Sequence, residues 1–285
     1  MTPTTVDALA EQIPDGALLA LPPAYGYVPT ALIHALIRRG ARDLRLLCVP
    51  IGGIAVDLLI GAGCVAEVEA AAVSLAEAGP APAFTRAVEQ GRVRMRDTTC
   101  PAVHSALQAT EKGVPFMPLG GVIGSDIERH RDDWRVVDDP MDAGGGRILL
   151  VPAIQPDFAL IHGVVADRDG NVWIGRRREM VTMAHAAKTT LATVERMQDE
   201  SLLADEASAA ATLPGLYMGG IAEAPRGALP QGLADHYAPD AAAIADYARM
   251  AKTEDGFRSY LEAHVLAPAA DAAAHVLASA ADAAE

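Results

Sequence analysis

Residues 29–47 read PTALIHALIRRGARDLRLL, and this stretch shows the pattern on which the chain is built. Pro29 is suited to the first turn of a helix, and the leucines and isoleucines of the run LIHALI recur at helical spacing. Gly40 is typical of a helix end, and Leu44–Val49 follows as a short buried strand. The same order of helix, glycine and strand returns over Pro101–Met117. This alternation indicates crossover connections, so we predict an α/β fold with a mainly parallel sheet flanked by helices.

The order of these patterns divides the chain into segments. We expect an α/β domain over residues 1–197 and a smaller C-terminal element over 198–265, made of a strand and helices packed on that domain. Within the first domain, residues 119–146 are expected to form loops. Residues 198–212 are acidic and rich in alanine, which favours a loose connection. Residues 266–285 are an alanine-rich tail whose composition favours a frayed end.

The composition excludes several classes of function. The 285 residues carry a net charge of −14, whereas nucleic acids and anionic membranes attract a surplus of lysine and arginine. The three cysteines, Cys48, Cys64 and Cys100, have unrelated spacings, which favours reduced thiols over a disulfide framework. No apolar stretch has the length of a membrane span, and the start of the chain lacks the hydrophobic run of a secretion signal. We therefore predict a cytoplasmic protein that binds neither nucleic acid nor membrane.

Four stretches in series resemble the α subunits of family I CoA-transferases. The first joins IPDGALLA, residues 13–20, to the helix and strand at 29–47, and the second is KGVPFMPLGGVIGSD, residues 112–126. The third is LLVPAIQPDFALIHGVVADRDGNVWIG, residues 149–175, and the fourth is EAPRGALPQGLADHYAPD, residues 223–240. Together they cover most of the chain, and the fourth is similar to the α subunits of the glutaconate CoA-transferase branch.

The resemblance implies a sheet flanked by helices, of the kind that CoA-transferases share with some sugar-phosphate isomerases. It also implies a heteromer of α and β subunits, αβ or α2β2, with the active site at the subunit boundary. The substrate is then a CoA thioester, with no bound cofactor and no metal. In that family the acyl-CoA carbonyl is attacked by a glutamate of the β-type subunit, and a glutamyl-CoA thioester then passes CoA to a second carboxylic acid. We therefore predict an enzyme subunit that requires a β subunit.

The glutamate nucleophile of that family normally lies in a Glu-x-Gly context at the end of a strand. Glu111–Gly113 and Glu254–Gly256 match these letters, but they fall at the close of one predicted helix and between two others. We interpret both matches as accidental. The partner subunit is therefore expected to supply the nucleophile.

Two departures from the family pattern favour alternative functions on the same fold. Pro22 and Pro23 stand where the family usually has consecutive glycines, and proline has no backbone N–H to donate. Cys100 stands where many α-type subunits carry a glutamine that helps to hold the oxyanion. The alternatives are a CoA-thioester hydrolase, a C–C bond hydrolase or a decarboxylase. A non-catalytic scaffold subunit is a further alternative, which the missing nucleophile allows.

Cys100 is the candidate catalytic residue of this chain. Because Pro101 begins a predicted helix, we expect Cys100 to be its N-cap, where backbone N–H groups and the helix dipole favour a thiolate. The alternative is a small buried side chain without a chemical role, which is the commoner situation of a free cysteine.

Residues that bind substrate are expected in two loops. Gly120, Gly121 and Gly124 follow a predicted strand and could present backbone N–H groups to the acyl or pantetheine part of a ligand, with Ser125 beside them. The alternative for this loop is an ordinary turn. Tyr25, which follows the two prolines, is expected to shape the acid pocket, and the alternative is a surface aromatic side chain.

Several other polar residues have a structural interpretation. Asp167, Gly170 and Asn171 predict a turn between two strands. His162 precedes them on a predicted strand and is expected to be a core histidine. The basic run at 176–178 could bind a carboxylate or a CoA phosphate, although a surface patch at a helix start is the more common role.

Overall fold

The computed structural model describes residues 4–233 and 235–267, which form a parallel sheet with helices on its two faces. The strands are, in chain order, β1 Leu18–Leu21, β2 Leu44–Cys48, β3 Ile51–Gly52, β4 Val65–Ala70, β5 Ala72–Val73, β6 Arg94–Asp97, β7 Phe116–Leu119, β8 Arg135–Asp138, β9 Arg147–Pro152, β10 Phe158–Asp167, β11 Val172–Trp173, β12 Thr189–Gln198, β13 Thr212–Leu213 and β14 Met218–Glu223. The helices are α1 Val6–Glu11, α2 Thr30–Arg39, α3 Ile54–Gly61, α4 Pro82–Glu89, α5 Cys100–Glu111, α6 Asp126–His130, α7 Arg178–Ala186, α8 Glu206–Ala209, α9 Ala241–Met250 and α10 Glu254–His264. None of these helices combines the length and the apolar composition that crossing a membrane requires.

Within the described residues, the main sheet runs in parallel in the order β14–β12–β10–β1–β2–β4–β6, with the short β11 and β13 antiparallel at one side. β1 pairs with the start of β10, where Leu19 lies opposite Phe158, and β11 pairs with the end of β10, where Trp173 lies opposite Val165. From β1 the chain adds β2, β4 and β6 on one side, and from β10 it adds β12 and β14 on the other side. The strand order thus reverses between β1 and β10. Open α/β sheets bind ligands at the carboxyl ends of the strands beside such a reversal. The predicted mainly parallel sheet flanked by helices is confirmed.

Alternate side chains of the strands pack into two apolar cores on opposite faces of the main sheet. Leu19 and Leu21 of β1 lie in the core that includes α2, α3, α9 and α10, whereas Ala20 lies in the core that includes α7. Helix α2 starts directly after Pro29 and ends at Gly40, whose φ of 75° is the left-handed conformation that ends many helices. The predicted bounds of this helix are confirmed.

Asp57 joins three helices through one buried carboxylate. It lies on α3, none of its surface is exposed, and it accepts hydrogen bonds from the backbone N–H groups of Ala83 and Phe84 on α4 at 3.2 and 2.6 Å. Tyr247 of α9 donates its hydroxyl to the same carboxylate at 2.6 Å. Burial raises the pKa of Asp57, and these hydrogen bonds act against the rise. The C-terminal helices are thereby tied to the first half of the chain.

Strands β7, β9 and β8 form a separate antiparallel sheet in that order. Residues 119–146 were expected to be loops, which is wrong because α6 and β8 lie within them. The helix–glycine–strand pattern at Pro101–Met117 leads into this small sheet and not into a further parallel strand. Its inner face packs Leu149 with Ala102 and Ala106 of α5. An apolar strand pattern indicates burial, but it does not determine whether the neighbouring strand runs parallel or antiparallel.

The strand predicted in the C-terminal element is β14, which forms the edge of the main sheet beyond β12. Its pairing with β12 is parallel and extends over Thr190–Val194. The main sheet therefore continues past residue 197. Helix α8 lies within the stretch at 198–212 that we expected to be a loose connection. The predicted tail at 266–285 lies outside the described residues from residue 268 onward, and the division into two units stays a prediction.

The first and last described segments of the chain meet at Arg38 on α2. Its guanidinium donates to a carboxylate oxygen of Asp7 at 2.9 Å and to the backbone carbonyl of Val265 at 3.3 Å. The backbone N–H of Thr4 donates to the carbonyl of Ile221 in β14 at 3.1 Å. The two ends of the described chain therefore lie on the same side of the molecule.

Candidate functional site

Four segments meet at the carboxyl edge of the main sheet, and Tyr25 is the residue that connects them. Tyr25 lies in the loop after β1, beside the reversal of strand order, and 57% of its surface is exposed. It contacts Arg177 at the start of α7 and lines a cavity with the loop at 231–239. Burial raises the pKa of Tyr25, with further contributions from Glu179 and Cys100, while Arg177 opposes the rise. Tyr25 therefore brings Arg177 and the loop at 231–239 together at one edge of the sheet, and Cys100 is near enough to affect the pKa of its hydroxyl.

Arg177 lies between two tyrosine rings at this edge. Its guanidinium carbon is 5.1 Å from the ring centre of Tyr25 and 5.8 Å from that of Tyr27, which is within the range of a cation–π interaction. One guanidinium nitrogen is 3.4 Å from a carboxylate oxygen of Glu179. The side chain of Arg177 is 29% exposed. A cation is thus held in place by aromatic faces while part of it remains accessible.

The backbone around Tyr27 is shaped to bring these groups together. Tyr27 has φ of 61°, a left-handed conformation that is uncommon for an aromatic residue. Its carbonyl accepts a hydrogen bond from the N–H of His162 in β10 at 2.8 Å. A Cβ atom at Gly175 would lie 2.7 Å from the Tyr27 hydroxyl, so the approach of the two loops requires glycine there. This conformation fixes the ring of Tyr27 against Arg177.

Cys100 is exposed at the first residue of α5. The prediction that Cys100 is the N-cap is wrong, because Thr99 occupies that position and its hydroxyl accepts from the N–H of Ala102 at 3.3 Å. Threonine caps a helix more effectively than cysteine because its hydroxyl is a stronger acceptor. The thiol still lies at the positive end of the helix dipole. His104 follows one turn later, and burial lowers its pKa while Glu179 acts to raise it.

The glycine loop lies at the end of β7, in the antiparallel sheet and not at the edge of the parallel sheet where we expected a ligand. The hydroxyl of Ser125 accepts from the N–H of Glu128 at 3.4 Å, so Ser125 caps α6. Glu128 in turn accepts from the N–H of Gly124 at 2.5 Å. Gly120 and Gly121 have open space where a Cβ atom would lie. Binding of substrate by this loop stays a prediction.

A cavity of about 420 Å³ opens beside Tyr25. Gln231 and Tyr237 are among its other lining residues. Gln231 is 6% exposed, and its side-chain amide donates to the carbonyl of Ala24 at 2.6 Å. This bond connects the loop at 231–239 to the loop that carries Tyr25. The cavity is therefore formed by segments from the two ends of the chain.

The carboxylate of Glu195 in β12 bonds to Tyr237, one of the residues that line this cavity. Glu195 accepts from the hydroxyl of Tyr237 at 2.6 Å and from the backbone N–H of Arg226 at 2.7 Å. The Nε2 atom of His162 lies 2.7 Å from the same carboxylate, and Nδ1 lies 2.8 Å from the hydroxyl of Thr193. Burial tends to raise the pKa of Glu195, but the hydrogen bonds outweigh it and the pKa is lowered. This cluster fixes Tyr237 in the cavity wall.

The structural roles predicted for His162, Asp167 and Asn171, in the stretch at 149–175, agree with the geometry. His162 is completely buried, as expected for a core histidine, although its contact with Glu195 was not predicted. Asp167 is also buried and accepts from the backbone N–H groups of Asp169, Asn171 and Leu202 at 2.8 to 3.0 Å. The side-chain amide of Asn171 donates to it at 2.8 Å. Asp167 therefore holds the turn after β10.

The two Glu-x-Gly matches lie away from this edge. Glu111 is the last residue of α5, and its eleven-residue separation from Cys100 corresponds to roughly 16 Å along the helix axis. It contacts His185 at 3.3 Å, and Glu254 at the start of α10 pairs with Arg92 at 3.2 Å. Across residues 4–233 and 235–267, no group of three histidine, cysteine or acidic side chains is arranged to hold a metal ion.

Comparison with known proteins gives consistent matches over most of the chain. The sequence profile of coenzyme A transferases matches residues 2–224. One subunit of the glutaconate CoA-transferase from Acidaminococcus fermentans is 28% identical over 282 residues, covering 90% of this chain and 85% of the relative. The crystal structure of that enzyme aligns with a TM-score of 0.87 at 24% identity, covering 94% of this chain and 90% of the other.

Two further matches have higher identity. The crystal structure of the decarboxylase AibA/AibB aligns with a TM-score of 0.77 at 30% identity, covering 92% of this chain and 98% of that one. An uncharacterised protein of Archaeoglobus fulgidus is 30% identical over 272 residues. The match covers 93% of this chain but 59% of that longer protein.

Proposed function

Because the chain belongs to the coenzyme A transferase family, as an α-type enzyme subunit, we propose that it joins a β subunit to move CoA between carboxylic acids. The acyl-CoA and the acceptor acid bind at the carboxyl edge of the main sheet, where Tyr25 and Arg177 meet and where Cys100 begins α5. The nucleophile is a glutamate of the β subunit. The comparisons do not favour hydrolysis, decarboxylation or a scaffold role over transfer.

The observation that carries this proposal is that Glu111 and Glu254, two glutamates in a Glu-x-Gly context, lie away from this edge. Glu195 accepts three hydrogen bonds, and Glu69 pairs with Arg131 at 2.7 Å. Glu111 and Glu254 form ion pairs on other faces of the molecule. A nucleophilic carboxylate needs an oxygen that is free to attack a carbonyl carbon. The described part of this chain therefore provides one wall of a site whose reactive group comes from elsewhere.

Each step of the proposed transfer conserves its atoms. The partner's glutamate attacks the thioester carbonyl, which releases CoA thiolate and forms a mixed anhydride. The thiolate then attacks the glutamyl carbonyl of the anhydride, which releases the first acid and leaves a glutamyl-CoA thioester. The second acid reverses both steps and departs as its CoA ester. The positive end of the α5 helix dipole, at Cys100, stabilises the oxyanions that form in these additions.

The proposal is tested by purifying the chain alone and together with its candidate β-type subunit. The pair is incubated with acetyl-CoA and a carboxylic acid, and the new CoA ester is measured by mass spectrometry. We expect transfer by the pair and none by the chain alone. Borohydride or hydroxylamine treatment during turnover should modify one glutamate of the β subunit. Full activity of the chain alone as a homo-oligomer, or release of free CoA without a new ester, would contradict the proposal.

A further inference from the structure

Arg177 retains hydrogen-bonding capacity that other arginines at the same edge have used. A guanidinium has five N–H donors, and within the residues that the structure describes the one ionic contact of Arg177 is the 3.4 Å approach to Glu179. Arg131, by contrast, makes four hydrogen bonds, because it donates to both oxygens of Asp133, to Glu69 and to the carbonyl of Asp97. Arg177 instead lies over the rings of Tyr25 and Tyr27. These contacts leave N–H donors of the guanidinium available for a ligand.

Arg177 lies at the edge of the main sheet where the proposed function places the ligands. Arg177 lies over Tyr25, whose own surroundings include Cys100 and the cavity of about 420 Å³. The tyrosine faces restrict the guanidinium and therefore reduce the entropy that is lost when it binds a partner. An accessible, immobilised cation at the ligand edge of an acidic chain indicates a site for an anionic group.

The chemistry of the surroundings favours a carboxylate over a phosphate. Planar carboxylates match the fork of a guanidinium in two parallel hydrogen bonds. A phosphate dianion is usually bound by several cations or by a glycine-rich loop with a helix N-terminus. At this place Arg177 has Glu179 beside it, whose negative charge disfavours a dianion more than a monoanion. A site with one cation, Arg177, and one nearby anion, Glu179, favours a ligand that carries a single negative charge.

The bound carboxylate is not the one that reacts. In the transfer proposed above, the acceptor's reacting carboxylate loses its charge when it attacks the glutamyl-CoA thioester. A strong bond from Arg177 to that group would stabilise the ground state more than the transition state and would slow the reaction. A bond to a second, unreactive carboxylate stabilises both states equally. We propose that Arg177, held by Tyr25 and Tyr27, binds the non-reacting carboxylate of a dicarboxylic acid or its mono-CoA ester, an inference that rests on the proposed function.

The test compares pairs of acids of equal length in the complex with the β subunit. Succinate, glutarate and adipate are each paired with butanoate, pentanoate or hexanoate, and kcat/KM is measured for each acceptor with acetyl-CoA. We expect the wild-type complex to prefer at least one diacid over its matched monoacid. In Arg177→Gln the ratio of kcat/KM for that diacid to its monoacid should fall roughly 10- to 100-fold, as expected for loss of charged hydrogen bonds. Arg177→Lys should give an intermediate ratio because it keeps the charge but not the fork.

The control is Arg178→Gln, which removes an exposed arginine from the next position and should leave the ratio within about threefold. A purely structural role of Arg177 would lower the values for both acids together and leave the ratio unchanged, which would overturn the inference. If the wild-type complex transfers CoA to none of the acids, the proposed function fails on its own. In that case, the thermal unfolding midpoint of the complex is measured with and without glutarate. An increase that is lost in Arg177→Gln supports the site, and no increase in the wild type refutes it.

Discussion

At the scale of single residues, Cys100 differs from the other two cysteines in its access to solvent. Cys48 and Cys64 are buried, and burial raises the pKa of Cys48 to about 12 and that of Cys64 to about 11. Cys100 is exposed at the start of α5. Since the thiolate is the reactive form of cysteine, alkylating reagents should distinguish these positions.

We expect Cys100→Ser to lower kcat of the assembled enzyme by roughly tenfold, because the hydroxyl replaces the thiol in size but not in acidity. The thermal unfolding midpoint and the mass of the complex should not change, since the thiol is exposed and Thr99 supplies the helix cap. Iodoacetamide treatment of the native chain, followed by peptide mass mapping, should label Cys100 before Cys48 and Cys64. Unchanged kinetics in the serine variant would remove Cys100 from the site.

The sequence indicated Tyr25, Cys100 and the basic run at 176–178 as candidate residues, but not the contacts that bring Arg177 and Tyr25 together. Tyr25 and Cys100 were noticeable because each interrupts a family pattern. The pairing of Arg177 with Tyr25 and Tyr27 depends on how the loop after β1 meets the start of α7, and no local pattern encodes a contact between segments so far apart in the chain. The same applies to Glu195, whose only sequence signal is a charged residue at the end of an apolar strand.

At the scale of secondary-structure elements, Asp167 stabilises the turn between β10 and β11 through its ionised form. Burial tends to raise its pKa, but the hydrogen bonds from Asn171, Leu202 and Asp169 outweigh it and lower the pKa below 3.8. A carboxylate whose pKa is lower in the folded chain than in the unfolded chain stabilises the fold above the unfolded pKa. This stabilisation is lost as the pH falls through the lower, folded value.

We therefore expect Asp167→Asn to reduce the free energy of unfolding at pH 7 by about 2 kcal/mol, because its amide cannot accept both bonds made to the second carboxylate oxygen. The difference from wild type should narrow as the pH falls below the unfolded pKa of about 3.9 and should be lost as the pH passes through the lower, folded pKa of Asp167. Urea unfolding at a series of pH values measures both effects. Asp169→Asn, in the exposed part of the same turn, is the control and should change stability by less than about 0.5 kcal/mol. A pH-independent difference would contradict the assigned role of the charge.

The elements that the sequence predicted best are those with signals at both ends. Helix α2 has Pro29 before it and Gly40 after it, and both act within one turn of the helix. Strand β7 was predicted within two residues of its bounds, yet its partner was not, because the choice of β9 depends on residues 147–152 and on packing against α5. Local chemistry therefore determined the elements, and contacts over long distances in the sequence determined how the strands pair.

At the scale of the whole molecule, the main sheet and its cores combine residues from both parts of the chain. Strand β14 covers the edge of β12, and Tyr247, Phe257 and Tyr260 are buried in the core that also holds α2 and α3. Burial of aromatic side chains contributes strongly to stability, roughly 3 to 5 kcal/mol for each such residue truncated to alanine. The first 197 residues therefore lack a substantial part of their core when they stand alone.

We expect a chain ending at residue 197 to be insoluble, or to unfold without a cooperative thermal transition. Removing the later residues exposes the edge of β12 and the apolar surface under α9 and α10. Solubility after expression and thermal unfolding followed by circular dichroism measure this. A chain ending at residue 267, which keeps β14 and both helices, is the control and should unfold cooperatively. Cooperative unfolding of the shorter chain would show that residues 1–197 are an independent unit.

Asp7 and Val265 both bond to Arg38, so segments near the two ends of the described chain lie close together. This proximity would allow the order of the segments along the polypeptide to be changed. Two positions that share one guanidinium are close enough for a short peptide to bridge, so the described segments could be joined into a closed ring. Opening that ring at the exposed Gly91, in the turn between α4 and β6, would give a circularly permuted protein with new ends in a surface turn. The contacts that define the fold would then survive a complete change in the order of synthesis.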